Sequence, residues 1–101
     1  MPKPQQLVYP HDAEKAMQAI EIFRAWIIDE GFQCSLMPGV FGSQPGMWGL
    51  VFADAIQHVS NAISQETGTP KEEILQEIVR LLNAELSNPT DTAKGDFVSE
   101  H

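Results

Sequence analysis

Ile20-Glu21-Ile22-Phe23-Arg24-Ala25-Trp26-Ile27-Ile28 is the stretch on which the fold turns. Its isoleucines, Phe23 and Trp26 are β-branched or aromatic, and such side chains lose rotamer freedom in a helix but fit a pleated surface. The composition therefore reads as a strand that is apolar on both faces. The same run also continues a helical spacing through Met17, Ile20, Phe23 and Ile27, which Gly31 would end. The segment that follows favours the strand: Phe32, Cys34 and Leu36 alternate with Gln33, Ser35 and Met37, the period of a half-buried strand. Asp29-Glu30-Gly31 between the two runs predicts a tight turn, with Gly31 supplying positive φ, and hence an antiparallel β-hairpin.

Upstream, residues 1–11 carry Pro2, Pro4 and Pro10 and form an irregular lead-in, in which Leu7, Val8 and Tyr9 pack or add a short edge strand. Asp12 has the character of a helix N-cap, and Ala13, Ala16, Met17 and Ala19 predict a short helix over about 12–19. Downstream, the Gly- and Pro-dense residues 38–46 make a loop. Ser43 as N-cap and Pro45 in the first turn predict a second helix running to about Gln65, with Trp48, Val51, Phe52, Ala55, Val59, Ala62 and Ile63 as its apolar stripe. Gly68 closes that helix, and Thr69-Pro70-Lys71-Glu72 opens a third with Thr69 as cap and Pro70 in the first position. Leu75, Ile78, Val79, Leu82 and Leu86 repeat at helical spacing until Asn88-Pro89 stops the helix.

These elements amount to an α+β domain: a short N-terminal helix, an antiparallel hairpin, then two α-helices. Residues 12–88 form the single domain, behind the lead-in 1–11 and ahead of a flexible acidic tail, 89–101. A two-stranded hairpin is marginal alone, and a strand apolar on both faces needs cover on its second side. A symmetric homodimer that completes the sheet is the expected solution.

At 101 residues the chain can build one core. Six Lys plus Arg stand against fourteen Asp plus Glu, a formal net charge of −8, and the basic residues are scattered. Neutralising phosphates takes clustered cations, so neither nucleic acid nor an anionic membrane is an expected partner. No segment approaches the ~20 apolar residues of a bilayer span, no signal-peptide pattern opens the chain, and the single cysteine, Cys34, fits a reducing compartment. The expected location is the cytoplasm.

Few residues point to chemistry. Asp54 and His58 stand four apart on the second predicted helix, so the carboxylate can meet the imidazole, and with Cys34 they would supply a nucleophile, a base and an orienting group. A helical Asp/His pair equally solvates a surface or bridges a subunit contact, and it is too small a set for a structural zinc site. Arg24 in an apolar strand requires a carboxylate from Glu21, Asp54 or another subunit, or else anchors an anionic ligand. Trp48, with Trp26, Phe41 and Phe52, lines a ligand site or, as large aromatics more often do, belongs to the core or an interface. The glycines at 39, 42, 46 and 49 lack the P-loop ending and the dinucleotide-binding spacing, so they read as loop closure. Arg24, Cys34, Trp48, Asp54 and His58 are thus the candidate ligand-binding or interface residues, with no catalytic residue, metal or cofactor assigned.

Residues 25–38 and 47–59, with Trp48-Gly49 followed by Asp54 and His58, resemble a family of bacterial proteins of about 100 residues known only as a domain of unknown function. The resemblance implies a bacterial protein and supports the hairpin, and it supplies no activity. The acidic surface and the absence of a catalytic constellation lead us to expect a non-enzymatic interaction or regulatory module acting as a homodimer, with a protein partner. The alternative is a small-molecule-binding protein or enzyme with a polar site around Asp54, His58 and Arg24.

Overall fold

The computed structural model describes residues 3–89 and 97–99. A one-turn helix, α1 (Asp12–Lys15), precedes a hairpin of β1 (Phe23–Ile28) and β2 (Gly31–Leu36). Two long helices follow, α2 (Met47–Thr67) and α3 (Lys71–Ser87), and β3 (Phe97–Ser99) then joins the sheet. The expected order of short helix, antiparallel hairpin and two helices is present, and the strand reading of the Ile-rich run is correct from Phe23 onward.

The hairpin is in register from Phe23 opposite Leu36 to Ile28 opposite Gly31. Its two-residue loop has positive φ at Asp29 (48°) and Glu30 (71°), not at Gly31 as expected. Gly31 is the first residue of β2, which leaves Asp29-Glu30 as the central pair, and a primed turn with both φ positive matches the twist of the flanking strands. The third strand was not anticipated. β3 lies parallel to β2, with Cys34 opposite Phe97 and Leu36 opposite Ser99, so the order is β1-β2-β3 and, among the described residues, no strand pairs with the outer edge of β1. The rest of the expected tail lies outside the described residues.

The boundaries of all three helices differ from expectation. α1 stops at Lys15, not near residue 19, because Ala16 is already extended (ψ 150°) and a single turn with no buried residue and no side-chain cap has nothing to sustain propagation. The cap position is His11, not Asp12. α2 begins at Met47, with Gly46 rather than Ser43 before it, since residues 39–48 wind through overlapping turns linked by bonds such as Gly42 N–H to Gly39 O (3.0 Å) and Trp48 N–H to Pro45 O (3.0 Å). At α3, Pro70 is the residue before the first helical one, and no side-chain cap bond is made there. Thr69 instead serves the joint between the helices: its carbonyl accepts from Ser64 Oγ (2.7 Å) and its N–H donates to Thr67 Oγ1 (3.2 Å). Gly68, left-handed at φ 79°, ends α2 as expected, its N–H donating to Ser64 O at 2.9 Å.

α2 and α3 pack on each other around Ser60 and Ile74, the two buried residues of the described chain. Ser60 has no exposed surface, and its hydroxyl is satisfied by donating to Ile56 O (2.9 Å), so a small residue lets α3 approach without leaving a polar orphan. Strand and helix backbones stay more than 8 Å apart. The two halves meet through aromatic rings.

Candidate functional site

Register sorts the hairpin into two faces, because directly paired antiparallel residues point the same way. Phe23, Ala25 and Ile27 share one face with Leu36, Cys34 and Phe32. Arg24, Trp26 and Ile28 share the other with Ser35 and Gln33. On the first face, Phe23 meets Phe52 edge-on (centroids 5.2 Å, planes at 88°) and Trp48 at 6.3 Å. Trp48 also stacks on Phe52 (5.9 Å, 27°) and takes Phe41 against its edge (5.5 Å). Of the aromatic residues read from sequence, Phe41, Trp48 and Phe52 come together, Phe23 completes the group, and Trp26 belongs to the opposite face.

This aromatic joint is the apex of two uncovered apolar walls. Along the sheet, Phe23 and Leu36 are half-buried, whereas Ile27 and Phe32 at the far end are 73% and 54% exposed. Along α2, Trp48, Phe52, Ala55, Val59 and Ala62 follow at spacings of four and three, the rhythm of one helical stripe. Trp48 and Phe52 touch the sheet; Ala55 and Ala62 are exposed, and Val59 and Ile63 are 48% and 37% exposed. The stripe expected to face a core is therefore covered only at its N-terminal end.

On the other sheet face, Arg24 is half-buried and pairs with Glu21, its Nη2 lying 2.8 Å from Oε1 and donating to Oε2 at 2.9 Å. Glu21 is thus the partner among the carboxylates the sequence offered. Turned to present its oxygen, the Gln6 amide accepts from Arg24 as well. Open grooves of about 210, 330 and 430 Å³ surround this guanidinium, between β1 and residues 5–10 and along Ser35–Met37. None of the three is lined by Cys34, Trp48, Asp54 or His58.

The remaining candidates are spread out. Cys34 is a half-buried free thiol on the Phe23 face of β2. Asp54 and His58 are exposed on α2, off the stripe that meets the sheet, and no hydrogen bond or ion pair joins them. No group of three or more His, Cys, Asp or Glu among the described residues is placed to hold a metal ion, and no helix there is long and apolar enough to cross a membrane.

A family model described as "Domain of unknown function (DUF5076)" matches residues 6–90. The chain belongs to this family. The matched span takes in the whole hairpin, the aromatic joint and both long helices. Among solved structures, the chain is similar to one described as "a putative pyruvate dehydrogenase from the photosynthetic bacterium Rhodopseudomonas palustrus CGA009", with 36% identity, a TM-score of 0.73, and coverage of 93% of this chain and 95% of that one. No curated protein matches. What sequence reasoning missed was Phe23 as the hub of the cluster. The signal was present, since Phe23 lies in phase with Ile27 on the face opposite Arg24.

Proposed function

We propose that this member of the family is a non-enzymatic interaction module that works as a homodimer, its two copies covering the apolar walls that one copy leaves bare. The observation that carries this reading is area. A folded monomer of 11.2 kDa exposes about 5,700 Å², whereas this chain exposes 8919 Å². Allowing for the residues outside the described ones still leaves an excess on the order of 2,000 Å² per copy, shared between residues 3–20, exposed but for Ala13, and the bare walls. Obligate homodimers bury about 2,000–5,000 Å² in total, so the excess is of the size one such interface removes. The radius of gyration points the same way, at 15.7 Å against about 13 Å for a compact chain of this length. Sedimentation equilibrium at micromolar concentration tests the reading: a mass of two 11.2 kDa copies supports it, and a single-copy mass refutes it.

One observation favours a second reading, that of a small-molecule binder. Three grooves converge on Arg24, and a guanidinium flanked by a groove is suited to a carboxylate ligand. The description of the similar bacterial structure names pyruvate, a carboxylate. Calorimetric titration with pyruvate checks this: binding that Arg24→Ala abolishes would support it, and no heat at millimolar ligand would end it. Asp54 and His58 line none of these grooves, so His58→Ala should leave any such binding unchanged.

A further inference from the structure

Resting on the homodimer reading, we propose that the two copies associate sheet on helix: the β-face carrying Ile27 and Phe32 of one copy seats on the α2 stripe Ala55–Val59–Ile63 of the other, and reciprocally. Each wall lacks what the other supplies. A sheet face needs a layer against it, and past Phe23 and Leu36 this one has none, leaving Ile27 and Phe32 largely in water. A helix stripe needs the same, and past Phe52 this one continues through Val59 and Ile63 without cover. The pairing that both walls require already exists once within each chain, where Phe23 packs on Phe52 and Trp48.

The walls cannot close on each other within one copy, because their backbones stay apart beyond the joint. A two-fold axis resolves this, since one sheet-on-helix contact then generates its equal and leaves no complementary patch open for further growth. The paired stretches are uncharged: Asp29 and Glu30 lie in the turn, Asp54 and His58 lie off the α2 stripe, and Glu66 meets the stripe only one turn beyond Ala62 and Ile63. On the walls themselves, Ile27, Phe32, Val59 and Ile63, exposed at 73%, 54%, 48% and 37%, are the side chains such contacts would cover.

Two measurements test this arrangement. In the Cys34→Ser background, Phe32→Cys and Val59→Cys are made singly and together, and each chain is oxidised. The expected result is a covalent dimer on a non-reducing gel only when both cysteines are present. A covalent dimer from Val59→Cys alone means helix against helix, one from Phe32→Cys alone means sheet against sheet, and either overturns the proposal, as does a purely intramolecular bond. Should the cysteine chains fail to fold, the unaltered protein answers the question by isotope-filtered NOE spectroscopy on dimers of labelled and unlabelled copies. Intermolecular contacts from Ile27 or Phe32 to Val59 or Ile63 are expected, and their absence in a particle of two-copy mass overturns the proposal. A single-copy mass is a different failure, that of the homodimer reading itself.

Discussion

Phe23 on β1 and Phe52 on α2 meet edge to face, ring centroids 5.2 Å apart, and this contact holds the sheet to the helical hairpin. An edge-to-face pair adds about 0.5–1.5 kcal/mol beyond its buried area. Truncating a fully buried Phe to Ala costs about 3–5 kcal/mol, but Phe52 is 41% exposed, so Phe52→Ala should cost roughly 2 kcal/mol. Urea unfolding of the variant against the parent measures it. A loss below about 0.5 kcal/mol, the scale of an ordinary surface change, would mean the two halves are held some other way.

The turn at Asp29-Glu30 holds two non-glycine residues at positive φ. A side chain there costs on the order of 1 kcal/mol, and glycine removes the penalty. Glu30→Gly should therefore stabilise the protein by about 1 kcal/mol, the reverse of the usual effect of glycine, raising the thermal midpoint by several degrees. A lowered midpoint would show that the hairpin does not use this turn.

Ser60 is buried with its hydroxyl already bonded to Ile56 O in its own helix. Ser60→Ala removes donor and bond together while improving helix propensity, so it should change stability by less than about 0.5 kcal/mol. Ser60→Leu has no room against α3 and should cost about 1–3 kcal/mol through overpacking. Equal effects from the two substitutions would contradict the close approach of α2 and α3 at this point.

The α+β order was legible because local chemistry dictates it: alternation in Phe32–Leu36, the Gly68 stop, and the break at Thr69-Pro70 each act within a few residues. Arg24's need for a carboxylate was likewise legible, and the nearest one, Glu21, meets it. What the sequence hid depends on space. Phe97–Ser99 is too short to declare itself as a strand and exists only by pairing with β2. A two-residue turn cannot be told from a three-residue one until register is known, which is why Gly31 drew the positive φ that Asp29 and Glu30 carry. The α2 stripe announced an apolar face through its spacing, but periodicity cannot distinguish a face buried within a chain from one reserved for a second copy. The candidates Asp54, His58 and Cys34 were linked by residue type alone, and the fold sets Cys34 on the sheet and the other two on the open side of α2.

We propose that folding and association are one process, because a single copy leaves Ile27, Phe32, Val59 and Ile63 open to water. The most direct test is the concentration dependence of thermal unfolding. A chain that folds as a dimer gains stability by mass action, so its midpoint should rise steadily as protein concentration is raised over two orders of magnitude from the low micromolar range. A sharp midpoint that stays fixed across that range, in a particle of one 11.2 kDa copy, would contradict the account.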